Sequence, residues 1–179
     1  MRKLLLFILP LCILCGCAEA VPPDYLAYQN RALIVEASFT LNGEQYPGTL
    51  TLAAAEFDEA GRMLARDVTL TLDGGSIIAG VRFELTGGEA YIASGVLKIP
   101  LADESVAAGI LDLVSLFCID PAAYYSAEEE ADLVRVTYTD GSNRVTLQWN
   151  PETGLPTAIT AEIGEKTISA EIKQIVTSA

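Results

Sequence analysis

Four cysteines, Cys12, Cys15, Cys17 and Cys118, are the side chains here with the most intrinsic chemistry. A thiol works as nucleophile or ligand only as the thiolate, so it needs a base or a positive neighbour. Cys118 lies between Phe117 and Ile119 with no Lys or Arg near it in sequence, and the 179-residue chain has no histidine. It therefore reads as a structural thiol. The missing histidine also removes the commonest general base and a common zinc ligand. Glu128-Glu129-Glu130 could offer carboxylates to calcium, but the alternating spacing and the glycine of a tight ligand loop are absent. That run reads as a solvated acidic loop. Asp73-Gly74-Gly75 and Asp140-Gly141 read as turns. After Cys17 there is no G-x-S-x-G, no phosphate-binding glycine loop and no C-x-x-C. The expectation is a protein that is not an enzyme, with no cofactor and no metal site.

Cys17 is different, because its neighbours suit a specific modification. Met1-Arg2-Lys3 is a short basic start, and Leu4 to Leu14 is an apolar run broken only by Pro10. A bilayer takes roughly 20 apolar residues, so this run reads as the core of a secretory signal. Leu14-Cys15-Gly16-Cys17 then resembles the lipobox of bacterial lipoproteins: an aliphatic residue, a tolerant position, a small residue and an obligatory cysteine. The resemblance implies a diacylglyceryl thioether on Cys17, acyl chains such as palmitate, and cleavage between Gly16 and Cys17. The alternative is an ordinary signal peptide cut near Ala18-Glu19-Ala20. The expected organisation is a signal peptide at 1–16, a lipidated tether at 17–24 carrying Val21-Pro22-Pro23, and one domain at 25–179. The expected location is the extracytoplasmic face of a cell membrane, at the cell surface or in the periplasm, held there by lipid.

Cleavage changes the charge and the cysteine count. The whole chain carries 11 Lys+Arg against 24 Asp+Glu, a net −13; losing Arg2 and Lys3 leaves nine against 24, or −15, on 163 residues. Such a body is a poor match for nucleic acid. It is also repelled by anionic lipid within a Debye length of the surface. Only Cys118 keeps a free thiol, so an intramolecular disulfide is excluded and the fold must rest on a packed core.

The rest of the chain must supply that core. Residues 24–30 suit one or two helical turns. From Ala32 the apolar residues alternate: Leu33, Val35, Ala37, Phe39 and Leu41, then a turn, then Leu50, Leu52 and Ala54. Val68, Leu70 and Leu72 repeat the pattern, as do Val81, Phe83 and Leu85, and Tyr91 to Ile99 suits one further strand bent at Gly95. Val106, Ile110, Leu113, Val114 and Phe117 form a helical stripe, predicting a helix over 103–117 between Asp103 and Pro121. Residues 122–132 read as a connector containing Tyr124-Tyr125. Strands return with Val134, Val136 and Tyr138; Val145, Leu147 and Trp149; Ile159, Ala161 and Ile163; and Ile168, Ala170 and Ile172. The expectation is a mainly β fold with α: about nine antiparallel strands or slightly more, and one main helix. A helix of about 14 residues is ~21 Å long and cannot cover a sheet near 40 Å wide. The sheet must curl, close, or leave apolar surface open.

This order resembles the LolA/LolB-like lipoprotein carriers, a superfamily that includes RseB and the LppX-type lipoproteins. The resemblance spans roughly residues 24–176. It rests on the hairpin 32–56, the helix 103–117, the stretch 134–175 and the turn Trp149-Asn150-Pro151-Glu152-Thr153-Gly154-Leu155-Pro156. It implies a curved antiparallel half-barrel with the helix against its concave face, and a hydrophobic cavity between them. No cargo-transfer residue can be matched by position. Phe39, Leu50, Leu52, Val81, Phe83, Val106, Ile110, Phe117 and Trp149 are the candidate cavity-lining residues, and filling an ordinary core is the alternative for them. Two functions remain open. One is a membrane-anchored lipoprotein that binds a lipid, acyl chain or lipopeptide cargo without catalysis. The other is a structural or sensing module that binds a protein partner in the cell envelope.

Overall fold

The computed structural model describes residues 24–41, 43–59, 64, 66–73, 81–87, 89–101, 109, 112–121 and 123–178. Cys17, Val106 and Ile110 lie outside them. Eleven strands form one antiparallel sheet: β1 (Ala32–Leu41), β2 (Glu44–Leu52), β3 (Val68–Leu72), β4 (Arg82–Thr86), β5 (Glu89–Ser94), β6 (Leu97–Pro100), β7 (Tyr124–Glu130), β8 (Leu133–Asp140), β9 (Asn143–Asn150), β10 (Leu155–Ile163) and β11 (Lys166–Ser178). Their spatial order is β6-β5-β4-β3-β2-β1-β11-β10-β9-β8-β7. Every neighbour but one is therefore a consecutive hairpin partner. The exception joins the first strand to the last, Phe39 facing Ala170 and Val35 facing Ile175. The sheet is open, with β6 and β7 as its free edges.

Alternation puts one set of side chains on a common face. Leu33, Val35, Ala37 and Phe39 of β1 are buried, as are Leu50 and Leu52, Val68 and Leu70, Val136, Leu147, Ile159, Ala161, Ile168 and Ala170. They form one cluster with Leu113, Val114, Leu116, Phe117 and Ile119, and with Tyr25, Leu26 and Tyr28 from the N-terminal segment. That segment includes a 3₁₀ turn, Ala27–Asn30. Fully burying one such side chain contributes roughly 1.5–3 kcal/mol, so this face dominates the stability.

Four expectations need correction. Among the described residues the strands number eleven, against an expectation of about nine or slightly more. The connector expected at 122–132 contains β7, paired with β8 over seven residues, Tyr125 facing Tyr138 and Glu130 facing Leu133. Its turn holds Ala131 at φ 49, a conformation normally left to glycine, so no turn signature marks it. The single bent strand expected at 91–99 is a hairpin instead, with Gly95 at φ 58 in the turn and Ser94 facing Leu97. The helix is short where it is described: residue 109 and residues 112–115 are helical, and a turn follows at 116–117. Residues 103–108 and 110–111 of the expected helix lie outside the described residues. No helix among the described residues is long and apolar enough to cross a membrane.

Candidate functional site

The region that could hold a ligand is the apolar face of the sheet and the segment that covers it. Residues 112–119 lie against the middle of that face and are tied down along their length. Lys166, the first residue of β11, reaches Asp112, 3.0 Å away. Gln29, 1% exposed, bonds both backbone groups of Ile119: its side-chain amide donates to the Ile119 carbonyl at 3.2 Å, and its oxygen accepts the Ile119 N–H at 2.9 Å. Arg66, 4% exposed, donates from Nε to the Ala53 carbonyl at 2.8 Å and from Nη1 to the Phe117 carbonyl at 3.0 Å. Its Nη2 reaches the Arg31 carbonyl at 3.4 Å. One guanidinium thus joins β1, the end of β2 and the covering segment. Burial pulls the Arg66 pKa down, and the adjacent Cys118 opposes that shift.

Arg66 also lies beside Cys118. Along the chain no cation is close to it, but the fold brings Arg66 to its side. Burial still dominates and pushes the thiol up, with Arg66 acting the other way. A thiol held protonated is a poor nucleophile, so the cation does not turn Cys118 into a reactive centre. It lines a cleft of about 200 Å³ between residues 115–123 and β8–β10, with Ile119, Tyr138, Val145 and Ile163 as apolar wall and Asp120 and Asp140 among its polar residues. Tyr28, also near Cys118 and Arg66, is wholly buried, and its hydroxyl has no hydrogen-bond partner among the described residues. Burial first, and then Tyr138 and Cys118, push its pKa up.

The nine candidate residues fall into groups. Phe39, Leu50, Leu52 and Phe117 are fully enclosed, each 0% exposed, and Trp149 is buried with its ring edge-to-face against Tyr25 at 5.0 Å. Phe83 is half-buried at the margin of the core, and Val81 is half-buried just before β4. Val106 and Ile110 lie outside the described residues. None of the seven described candidates is among the residues that line the cleft beside Cys118.

Pairing aligns some of them with residues that the sequence reading did not single out. Val35, Leu50, Leu70, Phe83, Ile92 and Ile99 face one another in turn across β1 to β6. Burial falls along this row. Val35 and Leu50 are fully enclosed and Leu70 is 1% exposed, Phe83 and Ile92 are half-buried, and Ile99 is 51% exposed. Next to Ile99, Leu97 is 59% exposed. The apolar face therefore continues beyond the part that is covered. Ile92 and Ile99 were not assigned in advance because their place on that face depends on the turn at Gly95.

No family model matches this sequence, and no curated protein matches it. Similar solved structures include MucB (17% identity, TM-score 0.45), where the alignment covers 87% of this chain and 57% of MucB. This chain thus spans just over half the length of MucB. A DUF1329 family protein from Desulfovibrio piger aligns at 11% identity over 87% of this chain and 91% of its own, TM-score 0.46. A domain proposed to belong to an outer membrane lipoprotein-sorting protein of Vibrio parahaemolyticus aligns at 7% identity over 83% and 86%, TM-score 0.40. These scores are all below 0.5, and the functional reading rests on the geometry of this chain.

Proposed function

We propose that this chain is a membrane-anchored bacterial lipoprotein that binds a lipid, acyl chain or lipopeptide, without catalysis, on the apolar face of its sheet. The observation that carries the reading is the row from Val35 to Ile99, which passes from complete burial to 51% exposure without losing its apolar character. Contiguous exposed apolar surface on an otherwise acidic body marks a place where something apolar binds. An acyl chain laid along β4 to β6 would cover Phe83, Ile92 and Ile99 and meet the enclosed wall at Leu50 and Leu70. Arg66, Gln29 and Lys166 hold the covering segment at the inner end of that path.

Native mass spectrometry of the protein released gently from its membrane tests this. Copurifying acyl species are expected. Substituting Ile92→Lys together with Ile99→Lys should abolish them while the circular dichroism spectrum and melting curve stay close to those of the parent. Protein that carries no lipid and has no affinity for fluorescent acyl probes would overturn the reading.

A second reading, a cell-envelope module that binds another protein, is favoured by one observation of its own. The outer side of β7 is unpaired among the described residues, and Tyr125 on that strand is 38% exposed.

A further inference from the structure

The two free edges of the sheet are built differently. β6 is four residues long, carries Lys98 and ends at Pro100. A short length, a lysine and a proline are the usual ways of keeping a sheet edge from pairing with another chain. β7 is longer and carries no lysine or proline, and its charged residues are all acidic, which discourages an acidic strand and not a basic one. Its sequence is Tyr-Tyr-Ser-Ala-Glu-Glu-Glu, and it pairs with β8 through seven residues without a register shift. Among the described residues no strand lies on its other side. Seven residues present about 23 Å of edge, with alternate N–H and C=O groups pointing away from β8.

The side chains say what would pair there. Tyr125, Ala127 and Glu129 share one face, and Ser126, Glu128 and Glu130 share the other. All six are exposed. Glu130 pairs with Arg135 at 3.0 Å, and neither Glu128 nor Glu129 is in an ion pair among the described residues. Tyr125 packs at 6.0 Å on Tyr25, which in turn meets Trp149, so a ring on the edge strand leads directly into the core. Pairing with a second copy would place six glutamates along one seam, and like charges across a strand pair are destabilising. A basic strand meets no such penalty.

We infer that β7 is the docking edge for an extended basic segment of a partner protein, which adds to the sheet as a twelfth strand. Its Lys or Arg side chains lie on the face of Glu128 and Glu130, and its apolar residues lie on the other face, over Tyr125 and Ala127. This rests on the second reading above and is independent of what the apolar face holds.

The probe is the seven-residue peptide of alternating Lys and Val with blocked ends, added to the protein. Binding is followed by fluorescence anisotropy and mapped by amide hydrogen exchange. New protection is expected at residues 124–130. Affinity should fall about ten-fold or more when alternate peptide nitrogens of the probe are methylated, because each lost N–H removes a ladder bond. A similar loss is expected for the variant Glu128→Lys. Binding that ignores N-methylation, or protection confined to another face, overturns the edge assignment and leaves a protein-binding module standing. Absence of binding at millimolar peptide overturns the assignment. Self-association that Glu128→Lys abolishes would show that the edge serves a second copy instead.

Discussion

The residues that matter most are those whose ordinary tendencies the fold reverses. Arg66 is a guanidinium taken almost wholly out of water, which is tolerable because carbonyls of Ala53, Phe117 and Arg31 replace the hydration it loses. Tyr28 is the opposite case: its buried hydroxyl has no hydrogen-bond partner among the described residues. An unsatisfied buried hydroxyl costs about 1–3 kcal/mol, so Tyr28→Phe is expected to raise stability by roughly 1 kcal/mol in urea titration. A loss of that size would show that the hydroxyl is bonded. The same residues set the alkaline limit. The pKa values of Tyr28 and Tyr138 are raised in the folded state, as is that of Cys118, each chiefly by burial. A raised folded pKa means that the native state holds its proton more tightly than the unfolded chain does. This contribution is complete below the ordinary values of 9.0 for the thiol and 10.0 for the phenols, and it is lost as pH climbs beyond them. Melting temperature should fall above that range, and less steeply in the Tyr28→Phe variant.

At the level of elements, the sheet depends on close approach at one position. Gly48 in β2 faces Ala37 on one side and Leu72 on the other. A Cβ there would sit 2.5 Å from the Thr71 carbonyl oxygen and 3.1 Å from a Leu72 methyl. Relief would require β2 and β3 to part, and overpacking of that kind typically costs 1–3 kcal/mol. Gly48→Ala should lower stability by about 2 kcal/mol, read as a shift in the urea midpoint at unchanged slope. A variant as stable as the parent would mean that the strands have room to move apart there. The covering segment depends on long-range ties in the same way. Gln29 and Ile119 are 90 residues apart in sequence, and Arg66 and Phe117 are 51 apart.

For the whole molecule, attachment and binding are separate properties. The folded domain is acidic, so basic-patch docking cannot hold it at an anionic membrane, and the proposed anchor is the acylated Cys17. Two acyl chains at ~0.8 kcal/mol per buried CH₂ are sufficient for that. Cys17→Ser is expected to leave the signal uncleaved or to move the protein from the detergent phase to the aqueous phase in a phase-partition assay. Continued acylation of that variant would refute the site. The domain's binding surfaces, proposed at the β4–β6 face and at the β7 edge, should keep their affinities in the same variant, because neither includes the anchor.

The alternation along each strand is legible in the amino-acid order alone. Each of β1, β2, β3, β8, β9, β10 and β11 buries the phase that its apolar residues mark, because a period of two leaves no other way to shelter them. That order also marked the turns at Gly141 and Gly154, where the backbone takes positive φ. What it left open needed partners distant in the chain. β7 is invisible to periodicity because its acidic run carries almost no apolar signal, and it is a strand because β8 supplies the ladder. The positive neighbour of Cys118 is 52 positions away, at Arg66. Only the tertiary structure showed that a row of side chains beginning at a fully enclosed Val35 ends at an exposed Ile99. The reason is physical: alternation tells each strand which face to bury, but how far that face is covered depends on where one short segment comes to rest.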